Sequence, residues 1–181
     1  MGELSTTTRA RTITWEDPAV LADRLRAMSG IDSLRAVQIG ELPSPPILRL
    51  MGIRLVEVSE GRVIFEVEPA EYHYNPIGSV HGGLAATLLD SAMGCAVQSM
   101  LPAGTSYTTL ELKVNYLRPL TEGTGSVTGV GSVIHMGRRI ATAEGRVTDA
   151  AGKLYAHATT TCLIAHPQHA GHEHHGKRVD A

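Results

Sequence analysis

The stretch from Val80 to Leu101 constrains this chain more than any other. Between Ser79 and Met100 the only formally charged side chain is Asp90. On a helix, Leu84, Leu88, Ala92, Cys95 and Ser99 fall on one face, and Ala86, Met93 and Val97 on another with Asp90 among them. A helix apolar on nearly all sides is wrapped by protein or spans a membrane. Asp90 and Gln98 inside it favour burial over a bilayer. A carboxylate on such a helix is costly unless it is paired or does chemistry. Hydrogen bonding to backbone or to Thr87 is the structural alternative for Asp90.

Strands are expected on both sides of this helix. Gly52 to Val58 and Arg62 to Val67 are β-rich runs separated by the hairpin signal Ser59-Glu60-Gly61. After the helix, Leu110, Leu112, Val114 and Tyr116 alternate with Glu111, Lys113 and Asn115, the period of a half-buried strand. Gly125–His135, Arg139–Thr148 and Leu154–Ala165 are further strand candidates, divided by turns at Met136-Gly137 and Asp149 to Gly152. These connections are too short for parallel crossovers, so the sheet is expected to be antiparallel.

The first 45 residues or so read as a helical extension, residues 1–45, rather than a second domain. Met1 to Ile13 looks like a flexible lead. Asp17-Pro18 starts a helix with Gly30 as its stop, Asp32 to Gln38 is a second short helix, and Gly40 to Pro46 is a linker. Residues 46–165 form the main domain. The tail 166–181 holds five of the nine histidines and almost no apolar residue, so it reads as a disordered tail with adventitious metal affinity.

Composition removes several function classes. Lys+Arg 16 against Asp+Glu 18 is too balanced for a nucleic-acid binder. Aromatic content of 4% leaves no base-stacking platform. Two cysteines make neither a disulfide framework nor a zinc ribbon. Without a signal-peptide layout or a membrane span, the expected location is the cytoplasm. Cys95 has no histidine within one or two helical turns and reads as a small core residue. The glycines at 123, 125, 129 and 131 miss the dinucleotide-binding spacing, and no Gly-x-Ser-x-Gly elbow occurs.

At the helix start stands His81-Gly82-Gly83. Glycines admit a ligand to the backbone, and first-turn N–H groups lack intrahelical partners and carry the positive end of the dipole. Such groups can hold the oxyanion formed when a thioester or ester carbonyl is attacked. Gly82 and Asp90 lie about 12 Å apart along the axis, too far to serve one carbonyl from one helix. Two helices packed antiparallel across a two-fold would bring Asp90 of one subunit to Gly82 of the other. A monomer is therefore expected to be inactive.

In chain order these features are Asn75-Pro76-Ile77-Gly78-Ser79-Val80-His81-Gly82-Gly83, then Asp90, then Tyr107-Thr108-Thr109 running to Arg118-Pro119. The pattern closely resembles the hotdog-fold acyl-CoA thioesterases, in particular the PaaI-like branch, over about residues 47 to 165. Met136-Gly137-Arg138-Arg139 and Asp149-x-x-Gly152-Lys153-Leu154 resemble that branch too. The helical extension and the histidine-rich tail stand outside the likeness.

The resemblance implies an α+β hotdog fold: an antiparallel sheet of five to six strands wrapped around one long central helix. It implies a homodimer with active sites at the interface, with assembly into a tetramer as a further expectation. Asp90 matches the catalytic carboxylate, as general base or nucleophile. Gly82 or Gly83 matches the backbone donor, Asn75 the polar residue near water and carbonyl, and His81 a supporting position. Thr109 fits best as the hydroxyl that assists the carboxylate, with neighbouring Thr108 left open; Thr109 is equally readable as a plain strand residue. Arg138 and Arg139 suit coenzyme A phosphates, or a solvated hairpin end. The expected activity is hydrolysis of an acyl- or aryl-acyl-CoA without metal or other cofactor. The alternatives are a hotdog protein that binds acyl-CoA without turning it over, and a dehydratase using His81 with Asp90.

Overall fold

The computed structural model describes residues 7–166. Met1 to Thr6 and the histidines at 169, 172, 174 and 175 lie outside the described residues. Six antiparallel strands form one sheet: β1 (Arg54–Ser59), β2 (Arg62–Val67), β3 (Ser106–Tyr116), β4 (Val127–Met136), β5 (Ile140–Asp149) and β6 (Leu154–Ala165). Their spatial order is β1-β2-β4-β5-β6-β3. Among the described residues four α-helices accompany them: α1 (Pro18–Arg26), α2 (Gly30–Gln38), α3 (Pro46–Met51) and α4 (Gly82–Gln98).

Helix α4 is the core. Leu88, Leu89, Ala92, Met93, Ala96 and Val97 are completely buried, as their recurrence at helical spacing requires when one face lies against a sheet. The helix is closer to β4 than a side chain would permit. A Cβ on Gly131 would stand 2.3 Å from the backbone carbonyl of Ala92. The strand glycines that miss a nucleotide-binding spacing therefore let the helix backbone approach the sheet.

The ends of α4 correct the expected span of Val80 to Leu101. His81 caps the start, its Nδ1 accepting the Gly83 N–H at 2.9 Å. Val80 instead bridges to Tyr74 in an isolated extended pair. Ser99 caps the end and its Oγ accepts from the Gly61 N–H at 2.8 Å, tying the β1–β2 turn to the helix.

The N-terminal helices start where capping chemistry predicts, with one exception. Asp17 caps α1, its carboxylate accepting from the Ala19 N–H at 2.9 Å. Gly30 does not stop α1; it opens α2, capped by Ser29. It sits there because the Gly30 N–H donates to the Leu101 carbonyl at 2.9 Å, leaving no room for a side chain beside Gln98. Leu34 of α2 joins the main core, and Gln38 donates to the Val56 carbonyl at 2.6 Å. That bond covers the edge strand β1, which would otherwise offer free ladder groups. Helix α3 begins on the last residue of the expected linker, Pro46, with Pro45 as its cap.

In the described part of the lead, two arginines make contacts with the main domain. Arg9 pairs with Glu71 at 2.6 Å. Arg11 donates to the Leu50 and Arg49 carbonyls at 3.0 and 3.3 Å and lies over the Tyr72 ring at 4.0 Å. A cation at the carbonyl end of α3 complements the helix dipole. No helix of the described residues is long and apolar enough to cross a membrane.

Candidate active site

Two groups of candidate residues stand along α4, one at its N-terminus and the other around Asp90 in its middle. The first is built on the loop before the helix. Asn75 Oδ1 accepts from the Ile77 N–H at 3.0 Å and Nδ2 donates to Ser79 Oγ at 3.3 Å, a side-chain turn that shapes the loop. One of the two Nδ2 protons is thus used, leaving the other for a ligand. Beside it opens a cavity of about 310 Å³ whose walls include Asn75, His81, Gly82, Tyr116, Leu120 and Tyr155.

The Gly83 N–H is already engaged by His81 Nδ1, and the Leu84 N–H by the His81 carbonyl. Among the described residues the Gly82 N–H has no protein acceptor, so of the two glycines Gly82 keeps a donor for a ligand. Because Nδ1 of His81 accepts, its ring proton resides on Nε2. The Tyr116 ring covers Gly82: a Cβ there would stand 3.1 Å from two ring carbons. Sequence alternation placed Tyr116 toward the core, whereas it is 57% exposed and forms the wall of this cavity. No motif signalled that contact, which arises from the crossing of α4 and β3.

The second group surrounds Asp90. Thr109 Oγ1 donates to Asp90 Oδ1 at 3.0 Å. Thr108 is exposed on the opposite face of β3 and does not meet Asp90. The register explains the choice: Thr109 pairs with Cys162 and Glu111 with Thr161, so Leu110 is an extra, bulged residue. Simple alternation would put Leu110 inward with Leu112. Instead Leu110 is 55% exposed, and Thr109 takes the inward position. Bulges commonly re-aim a side chain in this way.

The surroundings of Asp90 are apolar and unreactive. Burial, with the Asp90 charge adding to it, pushes the Cys95 thiol up to about 12. Burial likewise holds the Tyr107 phenol well above its usual range, and raises Cys162. Cys95 is therefore a protonated thiol of the wall and no nucleophile. Arg138 and Arg139 are exposed at the β4–β5 turn, and Ile140 and Ala141 connect across β6 to the Thr108–Thr109 segment. Neither Asp90 nor Thr109 lines the Gly82 cavity. Donor and carboxylate of one chain are held apart, as the helix rise of about 12 Å requires. Among the described residues no three His, Cys, Asp or Glu side chains cluster to hold a metal ion.

A long helix packed in a six-stranded antiparallel sheet of this order is the hotdog fold. The family model of the thioesterase superfamily matches residues 77–156. Human acyl-coenzyme A thioesterase 13 is 33% identical over 115 residues, 62% of this chain and 81% of its own. The 1,4-dihydroxy-2-naphthoyl-CoA hydrolase of Listeria monocytogenes is 28% identical over 64% of this chain and 90% of its own. Among solved structures, a phenylacetic acid degradation-related protein from Ralstonia eutropha superposes with a TM-score of 0.65 at 29% identity, covering 72% of this chain and 98% of its own. The chain belongs to the thioesterase superfamily, on its PaaI-like side, and is a thioester hydrolase.

Proposed function

We propose that the protein hydrolyses an acyl- or aryl-acyl-CoA thioester to the free acid and coenzyme A, using two subunits at each site. The observation that carries this reading is the Thr109–Asp90 hydrogen bond on an otherwise apolar helix. Protein that only bound the ligand would gain nothing from a half-buried carboxylate held in one orientation. Asp90 acts on the carbonyl in one of two ways. As a base it takes a proton from water while the water oxygen bonds to the carbonyl carbon. As a nucleophile its own oxygen forms that bond, and water then cleaves the resulting anhydride. In both, the carbonyl oxygen becomes an oxyanion, the C–S bond breaks, and the thiolate leaves to be protonated.

The Gly82 N–H, at the positive end of the α4 dipole, and the remaining Asn75 Nδ2 proton hold the oxyanion. His81 keeps Gly83 occupied and the helix start fixed. The carboxylate comes from the partner subunit, with the two α4 helices antiparallel across a two-fold, in a homodimer that assembles further into a tetramer. Arg138 and Arg139 face solvent at the β4–β5 turn, where phosphates of coenzyme A are attracted to guanidinium groups. No metal or other cofactor takes part. Two free thiols, Cys95 and Cys162, agree with a reducing, cytoplasmic setting.

The direct test is a panel of acyl-CoAs of varied chain length and aromatic content, with free thiol as the readout. Saturable thiol release from at least one supports the enzyme. Tight binding across the panel with no release by the folded protein would establish the binding-only alternative.

A further inference from the structure

Behind Asp90, a ring stands between the carboxylate and an unused cavity. Tyr107 is two residues before Thr109 on β3 and shares its inward face. Its hydroxyl reaches α4 at Gly94, where a Cβ would lie only 2.6 Å from the phenol oxygen. Gly94 is one helical turn beyond Asp90, about 6 Å along the axis. Against the same ring lies a cavity of about 170 Å³, walled by Leu25 and Arg26 at the end of α1, Met28 beyond it, Gly30 and Ser33 of α2, Gln98, and the polar Thr105 and Ser106. Tyr107 thus divides the surroundings of the carboxylate from a cavity that the N-terminal helices complete.

The route from Asp90 to this cavity is uncharged. Cys95 and Cys162 flank it as protonated thiols, and Tyr107 keeps its proton. Arg138 and Arg139, by contrast, lie outside the sheet at the β4–β5 turn. Inward of Asp90, between helix and sheet, the lining is therefore uncharged, and outward lies a cationic surface. An acyl chain fits the first and a phosphorylated thiol the second.

We propose that Tyr107 is the stop that sets the longest acyl chain this enzyme accepts, with the α1–α2 cavity lying in reserve behind it. The proposal rests on the acyl-CoA reading above. Gly94 is part of the device, since any side chain there would displace the ring from its seat on the helix.

The test compares wild type with Tyr107→Ala and the milder Tyr107→Leu, in full-length protein shown to keep its fold by circular dichroism. Saturated straight-chain acyl-CoAs of increasing length are assayed for thiol release. Their non-hydrolysable thioether analogues are assayed for binding. Opening the ring should move the length cut-off to longer chains. Each methylene newly admitted should lower KM and analogue Kd by about fourfold until the cavity is filled. The effect belongs in KM rather than kcat, because added burial is the same in ground and transition states. Leu25→Trp, placed behind the opened ring, should shorten the cut-off again.

An unchanged cut-off in folded Tyr107→Ala and Tyr107→Leu overturns the proposal, as does a lengthened cut-off that Leu25→Trp leaves unaltered. Absence of thiol release from every acyl-CoA, in wild type as well, would strike the catalytic reading instead. In that case the length profile of analogue binding still decides the role of Tyr107.

Discussion

Thr109 Oγ1 donates to Asp90 Oδ1 at 3.0 Å because one extra residue, Leu110, shifts the phase of β3 immediately after it. Leu112 and Val114 then face the helix on the far side of the bulge, and Tyr107 and Thr109 face it on the near side. The carboxylate thereby acquires a hydroxyl donor that unbroken alternation would have turned to solvent.

Asp90→Asn should lower turnover by at least about 100-fold, the lower range for acid–base catalysis, with the fold intact. Thr109→Val should cost about 10- to 100-fold, the worth of a hydrogen bond to a charged group. Thr109→Ser should retain most of the activity. In the Asp90→Asn background Thr109→Val should add little, since both changes strike one unit. The exposed Thr108→Val should stay within about threefold of wild type. Thiol-release kinetics on the five variants settle it, and equal losses at 108 and 109 would remove the role assigned to the bulge.

The shared site predicts complementation between two inactive variants. Asp90→Asn lacks the base, and Gly82→Pro lacks the backbone N–H. In a mixed dimer one site carries both lesions and the other neither. Random mixing makes about half of the dimers mixed, so activity should recover to roughly a quarter of wild type. Because any Cβ at 82 crowds the Tyr116 ring, Gly82→Ala is the control: same crowding, N–H retained. Verified mixed dimers that stay inactive would mean that base and donor come from one chain.

Prolonged treatment with EDTA should leave thiol release unchanged, since the described residues offer no clustered ligand set. Loss of activity on chelation, with recovery on adding zinc, would replace the metal-free mechanism.

His73 makes stability depend on pH. It is 7% exposed, its Nδ1 accepts the Ala70 N–H at 3.0 Å, and its Nε2 donates to the Met51 carbonyl at 3.0 Å. Burial, aided by the Arg11 charge, holds its pKa below the ordinary 6.5, although the Met51 bond opposes this. The neutral ring is the folded form, and the unfolded chain binds the proton more readily. The stability His73 contributes is thus present in full above pH 6.5 and lost as pH falls from there through the folded value. Denaturant titrations from pH 7.5 down to 5 should show this decline. His73→Gln should flatten it while costing about 1–3 kcal/mol at neutral pH through lost hydrogen bonds.

The sequence by itself determined the main elements. One charge in a long apolar helix, period-two runs and short polar turns specify a buried helix against an antiparallel sheet, because side-chain periodicity and loop length are local properties. Asp90 was legible for the same reason: a single carboxylate in an apolar stretch needs no tertiary information to stand out. Tertiary structure decided what depends on a one-residue phase or a single hydrogen bond. Thr109 rather than Thr108 meets Asp90 through a bulge set by pairing with β6. Gly82 rather than Gly83 keeps its N–H because His81 turns back onto Gly83. Gly30 opens α2 instead of ending α1 because it abuts the Leu101 carbonyl, some 70 residues away in the chain. The first and last of these contacts join residues distant in sequence, and the second turns on the rotamer of one side chain two residues away; local propensity carries no record of either.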